Sequence, residues 1–254
     1  MLSSRPIDKI VFLDIETTSQ YPTLKDSPEK YQKLFLRRFK ADVEKINDRI
    51  KTDPSLEYSK LVEELYNIKA PLHPEFGRIL CISCGMLTPD AEGLEEYTAK
   101  IVSYGDEDEL VLLKRFEKQM NKILTAPQVY GLCGHNALSF DFPFIAKRMI
   151  FNGITVPKAL DFEAKPWDLV HLICTKQAFA MGVYDSAVSL DTLAYNFGVD
   201  SSKEAESMDG SDVKDVFWIK KDLAKITRYC EADVLALMQI FLKMKGNKSK
   251  VVIK

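Results

Sequence analysis

Two acidic residues directly follow the most apolar short segment near the start of the chain. Residues 9–13 read Lys-Ile-Val-Phe-Leu, and Asp14 and Glu16 come next. Because side chains alternate along a strand, acids two positions apart lie on the same side of it. Two such carboxylates repel each other unless a cation lies between them. The pair therefore indicates either a cation site or the polar end of a strand that runs into solvent, and both interpretations stay open on this segment alone.

A second acid lies in the middle of the chain, at the start of an aromatic-rich segment that is predicted to be helical. Asn136 and Phe140 precede Asp141 in a polar turn that follows a short apolar run. Aspartate before a helix that has proline in its first turn is an ordinary capping residue. Asp141 is thus explained by a structural role as readily as by a chemical one.

The third place is a late helical segment in which Tyr229 precedes Asp233 by four residues. Residues four apart lie on the same face of a helix. Aspartate is a mediocre helix former, and the residues around Asp233 are mostly apolar. A solvated helical aspartate is nevertheless compatible with this pattern.

Taken together and in this order, the three places resemble the motifs of the DEDD superfamily of 3′–5′ exonucleases. That family carries Asp-x-Glu on a strand, then Asn-x-x-x-Phe-Asp, then Tyr-x-x-x-Asp on a late helix, and the chain supplies all three. The histidine variant of the family has His five residues before the last Asp, where this chain has Arg228, so Tyr229 matches the tyrosine variant. Residues 74–79 and 202–213 resemble stand-alone bacterial exonucleases related to the proofreading domain of family B DNA polymerases.

The resemblance implies a fold and a domain plan. The expected fold is α/β and ribonuclease H-like, with a mixed sheet of five to six strands flanked by helices. Residues 1–254 are expected to form a single exonuclease domain. A helical insertion is expected after the first strand, at about residues 20–70, and a basic C-terminal tail at about residues 243–254.

The resemblance also implies the site. Two divalent ions, Mg²⁺ or Mn²⁺, are expected, because a set of oxygen ligands suits hard cations. In the family's arrangement Asp14 bridges both ions, Glu16 and Asp233 hold the ion that activates the attacking water, and Asp141 helps to hold the other through water. Tyr229 is expected to orient that water. The expected contacts with the substrate come from Thr17, Asn136 and Phe140.

The implied function is removal of nucleoside monophosphates from the 3′ end of single-stranded DNA by a two-metal mechanism, with a role in DNA repair. An exoribonuclease with the same residues is one alternative, since the 2′-hydroxyl is recognised by local geometry that sequence does not reveal. A catalytically silent nucleic-acid-binding scaffold is the other. Intact acids at all four positions argue against the scaffold.

Hydrophobic patterns predict the elements that must position these residues. After the first strand, strands are expected at residues 78–87, 97–104, 128–133 and 167–173. Helices are expected at residues 107–124, 142–151, 189–197 and 213–244, the last with a break near Lys220, and residues 201–210 are expected to form a polar loop. The charged, glycine-free segment 27–68 predicts two helices separated at Pro54.

Composition excludes several classes of protein. The 35 basic and 37 acidic residues leave a net charge of −2, so no polybasic coat for nucleic acid is present. Local basic clusters remain, in the insertion and in the tail, and they are either guides for a phosphate backbone or solvated surface. They comprise Lys33, Arg37, Arg38 and Lys40, and Lys243, Lys245, Lys248, Lys250 and Lys254.

No membrane span and no signal peptide are expected, because acids interrupt the early apolar run, and the predicted location is cytoplasmic. Cys81 and Cys84 form a C-x-x-C pair that is typical of zinc or redox sites. Their place in an apolar strand, with no second pair, favours free cysteines in a reducing compartment. Asp168 and Asp191, near element ends, are expected to be structural, as is His135, and whether either acid assists the site stays open.

Overall fold

The computed structural model describes residues 6–89, 96–125, 131–160, 171–183 and 188–253, and the strands of this part form one mixed sheet. The strands are β1 Ile10–Ser19, β2 Gly77–Pro89, β3 Glu96–Gly105, β4 Gly131–Gly134, β5 Leu172–Cys174 and β6 Lys250–Ile253. Their order across the sheet is β5-β4-β1-β2-β3-β6. β2 is antiparallel to β1 and β3, whereas the pairs β1–β4, β4–β5 and β3–β6 are parallel.

Helices cover the sheet and occupy most of the connections. They are α1 Glu29–Arg38, α2 Lys40–Thr52, α3 Tyr58–Lys69, α4 Glu109–Thr125, α5 Asp141–Phe151, α6 Thr175–Ala180, α7 Leu190–Phe197, α8 Ser202–Glu206, α9 Val213–Trp218 and α10 Leu223–Met244. Within the described residues, none of these helices combines the length and the apolar character that a membrane span requires. The α/β class and the mixed six-stranded sheet confirm the predicted fold class.

The alternation of side chains along β1 divides the interior into two cores. Ile10 and Phe12 lie on one face and pack with α10, where the rings of Phe12 and Phe241 meet edge to face at 5.2 Å between centroids. Val11 and Leu13 lie on the other face, in the core shared with α4 and α5. A strand with both faces covered is continuously apolar, which explains the composition of this segment.

The long helix α10 packs against β2 at a glycine. A Cβ atom at Gly85 would lie 1.9 Å from Met238 Cε and 3.0 Å from Val234 Cγ1. A side chain at this position would therefore displace the flexible end of Met238 and crowd Val234. The close approach brings α10 over the face of β1 that carries Ile10 and Phe12, so the next even-numbered residues of β1 also face this helix.

The insertion between β1 and β2 contains three helices, so the prediction of two was wrong. The expected break at Pro54 is present, between α2 and α3, but a second break occurs at Phe39 between α1 and α2. Phe39 adopts a non-helical backbone, and its buried ring packs with Phe35 and Phe76. These rings and Tyr66 belong to a separate small core of the insertion.

Several other predicted boundaries needed correction. β1 does not end at Asp14 but continues to Ser19. The predicted loop 201–210 contains α8, and the predicted tail contains β6, which pairs in parallel with β3. The predicted strand 167–173 corresponds to β5, which begins at Leu172; residues 161–170 and 126–130 lie outside the described residues. The other predicted helices and strands are confirmed to within a few residues, including the break between α9 and α10.

Candidate active site

Three carboxylates converge where β1 passes under α10. Asp14 and Glu16 lie on the face of β1 that is directed at this helix, and Asp233 projects from the helix itself. Each offers one carboxylate oxygen, and the three oxygens lie within 4.8 Å of one another. The interpretation of the first pair as the solvated end of a strand is therefore wrong, since Glu16 is only 7% exposed.

Burial and mutual repulsion make these carboxylates difficult to ionise. Removal from water is the largest cause that raises the pKa of Asp14 and of Glu16 well above the ordinary range, and the charge of Asp233 adds to it. Burial also raises the pKa of Asp233 to about 6. A divalent cation among the three oxygens would reverse this cost, and oxygen ligands are those that Mg²⁺ and Mn²⁺ prefer. The chemistry of this donor set therefore fits the expected metals.

Asp141 lies at the edge of the group rather than within it. It is the first residue of α5 and is 3% exposed, and its carboxylate accepts a hydrogen bond from the backbone of Ile15. Burial raises its pKa to about 7. Its charge in turn raises the pKa of Asp14 and of Glu16, so all four acids belong to one electrostatic system. The three-residue cluster does not include Asp141.

Tyr229 lies one helical turn before Asp233 and forms a hydrogen bond with its carboxylate. Burial, followed by the charge of Asp233, raises the pKa of Tyr229 above its ordinary value. The phenol therefore stays protonated at neutral pH and donates to the carboxylate. This state is compatible with an orienting role and not with that of a base.

Ser202 is a contact of the site that sequence reasoning missed. Its Oγ donates to Asp233 Oδ1 at 2.6 Å, and its side chain is buried at the start of α8. The only signal in the sequence was that residues 202–213 resemble the related exonucleases. Nearby, Lys203 Nζ and Asp209 Oδ2 form an ion pair of 2.7 Å, and the charge of Lys203 lowers the pKa of Asp233.

The cysteines near the site are free thiols, as predicted. Cys84 packs in the core beneath α4, whereas Cys81 lies on the opposite face of β2 and contacts Cys230 of α10. The C-x-x-C pair thus points to two sides of the sheet and cannot bind one zinc ion. Cys230 Sγ also lies 3.4 Å from the carbonyl oxygen of Asp14 and 3.7 Å from its Oδ2, a contact that the sequence did not predict.

The expected substrate contacts belong to two segments of the chain, one directly after Glu16 and one directly before Asp141. Thr17 follows Glu16, and its Oγ1 donates to the carbonyl oxygen of Pro71 at 2.9 Å. Asn136 has a positive φ of 65°, and its carbonyl oxygen accepts from the backbone N–H of Phe140 at 3.0 Å. The ring of Phe140 is half-buried and packs on Phe144, with 5.3 Å between centroids.

Asp168, Asp191 and His135 were expected to be structural residues, and the described residues include His135 and Asp191, which both have structural contacts. His135 Nδ1 lies 3.0 Å from Thr175 Oγ1, and its Nε2 lies 2.9 Å from the carbonyl oxygen of Val188. Asp191, in the first turn of α7, accepts a hydrogen bond of 2.5 Å from Ser201 Oγ. Asp168 lies outside the described residues.

Comparison with known structures supports the fold. The chain is similar to the family B DNA polymerase of the hyperthermophilic archaeon Pyrobaculum calidifontis, with a TM-score of 0.55 and 14% sequence identity. The similarity covers 94% of this chain and 25% of the polymerase, so the chain spans about a quarter of that protein's length. The fold is the ribonuclease H-like α/β fold. Among curated proteins, none matches the sequence significantly.

The sequence itself matches a family model over residues 71–252, which is more than half of the chain and includes β2 to β5 and most of β6. Five of the expected site residues lie in the matched part: Asn136, Phe140, Asp141, Tyr229 and Asp233. The model describes a predicted 3′–5′ exonuclease related to the exonuclease domain of PolB. The protein therefore belongs to this family of PolB-related predicted 3′–5′ exonucleases.

Proposed function

We propose that the protein is a 3′–5′ exonuclease that hydrolyses the terminal phosphodiester of single-stranded DNA and releases nucleoside monophosphates. One observation carries the proposal: the carboxylate oxygens of Asp14, Glu16 and Asp233 lie within 4.8 Å of one another, with Glu16 buried and the two aspartates half-buried. Such an arrangement is costly without a cation and useful with one.

The residues divide into metal ligands and supporting groups. Asp14, Glu16 and Asp233 would hold divalent ions, Mg²⁺ or Mn²⁺, and Asp141 would complete the set from the edge of the group. When bound, two such ions supply Lewis acid chemistry that lowers the pKa of a water and stabilises charge on the leaving 3′ oxygen. The proposed subclass is the tyrosine variant, and similarity to stand-alone bacterial exonucleases is part of the same proposal.

The protein's own side chains orient the reactants. Tyr229, protonated and bonded to Asp233, holds that carboxylate and presents its phenol to the attacking water. Phe140 and Asn136 lie next to Asp141 in the chain, and Thr17 lies next to Glu16, so the terminal nucleotide would be held between these two segments. The side chain of Thr17 is engaged by Pro71, which leaves its backbone for the substrate.

DNA is preferred over RNA in this proposal because the matched family is related to an exonuclease domain of DNA polymerases. An exoribonuclease with the same site is the alternative within the enzyme class. A silent scaffold is disfavoured, because it would have no use for four neighbouring acids that are buried or half-buried and have raised pKa values. Roles in DNA repair and in the cytoplasm remain predictions.

The test uses two oligonucleotides of identical sequence, one DNA and one RNA, each labelled at the 5′ end and incubated with Mg²⁺. The expected result is a ladder that shortens from the 3′ end of the DNA, mononucleotide products, and no reaction in EDTA. A circular single-stranded DNA should resist digestion. Internal cuts, loss of the 5′ label as a mononucleotide, or faster digestion of RNA would contradict the proposal in polarity or in substrate.

A further inference from the structure

A cleft of about 240 Å³ lies between the helical insertion and the start of α5. Three segments line it: the end of α1, residues 72–75 before β2, and residues 139–147. The charged and aromatic groups of its wall are Arg38, His73, Glu75, Phe140, Phe144 and Lys147. Arg38 belongs to the insertion, and the family match begins only at residue 71, so this wall joins matched and unmatched parts of the chain.

Two segments of the chain connect the cleft with the carboxylate site. Phe140, in the wall of the cleft, is followed directly by Asp141. On the other side, the hydrogen bond of Thr17 to Pro71 ties the residue after Glu16 to the segment that forms the wall. A strand whose 3′ end lies at the carboxylates would therefore meet the cleft with its next nucleotides.

The charge of the cleft is positive. The exposed side chains of Arg38 and Lys147 line it, and Glu75 is the acid among the described lining residues. The pKa of His73 is consistent with a positive charge in the cleft. Burial is the largest cause that lowers this pKa, and the charges of Arg38, Lys69 and Lys147 lower it further. The charge of Glu75 acts in the opposite direction. Several positively charged side chains thus surround His73 in the cleft, although the net charge of the protein is −2.

Aromatic contacts hold Arg38 in this position. Its guanidinium carbon lies 5.5 Å from the centroid of the Phe39 ring, and that ring meets the imidazole of His73 at 4.9 Å between centroids. Phe39 is itself buried in the core of the insertion. The break between α1 and α2 therefore places an arginine over a fixed aromatic group at the mouth of the cleft, where a guanidinium can bind a phosphate through two N–H groups.

We propose that this cleft binds a backbone phosphate of the single strand upstream of its 3′-terminal nucleotide, through Arg38 and Lys147. The inference rests on the proposed function and assigns the helical insertion a role in it, as part of the substrate-binding surface. Of the four basic residues in the predicted cluster of the insertion, the inference assigns phosphate binding to Arg38. Phe140 and His73 provide the aromatic wall beside the phosphate.

The test compares the full-length protein with the double variant Arg38→Gln/Lys147→Gln. A matched control, Arg37→Gln/Lys114→Gln, removes the same charge from exposed residues that are not part of the lining. Binding of a fluorescein-labelled ten-nucleotide single-stranded DNA is measured by anisotropy in EDTA, where no hydrolysis is expected, at several salt concentrations. Hydrolysis of the same DNA and of a dinucleotide is then measured with Mg²⁺.

We expect the Kd of the cleft variant to rise about tenfold and the slope of the logarithm of the association constant against log salt to become shallower by about 0.7, the value for one phosphate contact on a single strand. The KM for the long strand should rise similarly, with kcat within about twofold. Dinucleotide hydrolysis should not change, since its single phosphodiester lies at the carboxylates and no other phosphate reaches the cleft. The control should match the wild type in every measurement.

Three results would overturn the inference. They are an unchanged Kd for the cleft variant, an equal loss in the control, and an equal loss on the dinucleotide. If no oligonucleotide were hydrolysed at all, the proposed function would fail, but the anisotropy comparison in EDTA would still decide whether the cleft binds the strand.

Discussion

Ser202 and Asp233 are 31 residues apart in the chain, and a hydrogen bond of 2.6 Å joins Ser202 Oγ to Asp233 Oδ1. Asp233 also accepts a hydrogen bond from the phenol of Tyr229. Two donors from different helices, α8 and α10, therefore hold one carboxylate. Both bonds favour the charged form of Asp233, against the burial that raises its pKa. The site thus has a support that fixes one of its acids before any substrate arrives.

Replacing Ser202 with alanine should weaken catalysis without abolishing it. A hydrogen bond to a charged group contributes about 1.5–3 kcal/mol, and loss of the lower value corresponds to about a tenfold effect. We expect kcat to fall about tenfold and the Mg²⁺ concentration for half-maximal activity to rise, with little change in the KM for DNA. The measurement is a metal titration of the hydrolysis rate.

The matched control for Ser202 is Ser201→Ala, which removes the neighbouring hydroxyl and its bond to Asp191. It should leave the Mg²⁺ requirement unchanged. A Ser202→Ala protein with wild-type metal dependence, or a Ser201→Ala protein with the same defect, would show that the bond to Asp233 is not functional. Restoration of the metal dependence by Ser202→Thr would support it.

Two pairs of expected site residues were recognisable from the sequence because their spacing is dictated by local geometry, whereas the fourth acid was expected only from the family resemblance. Asp14 and Glu16 share a face because of the period of a strand, and Tyr229 and Asp233 because of the period of a helix. Ser202 was not identifiable, because its contact with Asp233 depends on how α8 packs against α10. Contacts of that kind arise from tertiary structure and leave no periodic signal.

Without metal, the protein should lose stability as pH rises. The folded-state pKa values of Asp141 and Asp233 are about 7 and about 6, above the ordinary carboxyl value of 3.8. A carboxyl group with a raised folded pKa stabilises the fold fully below its ordinary pKa, and this contribution is lost as pH rises through the folded pKa. The loss should therefore fall between about pH 4 and pH 7.

Asp141→Asn tests this dependence, because asparagine can keep the hydrogen bond from Ile15 while removing the charge. In EDTA at pH 8, the Tm of the variant should exceed that of the wild type by about 3–8 °C, and at pH 4 the two should agree closely. Adding Mn²⁺ at pH 8 should raise the wild-type Tm more than that of the variant. A variant less stable than the wild type at pH 8 would refute the raised pKa assigned to Asp141.

The buried ion pair between Glu109 and Arg148 should be essential for stability. Glu109 accepts from Arg148 Nε at 3.0 Å and from the backbone N–H of Ile79 at 2.6 Å, and Arg148 Nη1 donates to the carbonyl oxygen of Pro74 at 2.8 Å. The pair thus connects α4, α5 and the start of β2. Removing one partner leaves a buried charge unpaired, at a cost of about 3–5 kcal/mol.

We therefore expect Glu109→Ala to lower the free energy of unfolding by about 3–5 kcal/mol in urea denaturation. Arg115→Ala provides the control, because Arg115 forms only a surface pair with Asp106 at 3.9 Å, which should contribute at most about 1 kcal/mol. Equal effects of the two changes would contradict the structural role of the buried pair.

The insertion and the tail show where sequence patterns were insufficient. The break at Pro54 was predictable because proline interrupts a helix, but the break at Phe39, whose ring is buried in the insertion core, has neither proline nor glycine to mark it in the sequence. Likewise, residues 250–253 were read as a basic tail from their lysines, whereas pairing with the edge of β3 makes them a strand. The sequence of residues 250–253 does not show that the edge of β3 is available for pairing, because that edge is formed by another part of the chain.

The most direct measurement is the rate at which Asp14→Asn releases mononucleotides from a 5′-labelled single-stranded DNA at saturating Mg²⁺. The fold of the variant is verified by circular dichroism, and Asp48→Asn, in the exposed part of α2, serves as a control of equal charge change. If Asp14 lies at the centre of a metal-dependent exonuclease site, the rate should fall at least about a thousandfold, comparable to the loss of a key electrostatic group in an enzyme, while the control stays within about twofold. A folded Asp14→Asn protein that degrades the strand at close to the wild-type rate would contradict the account.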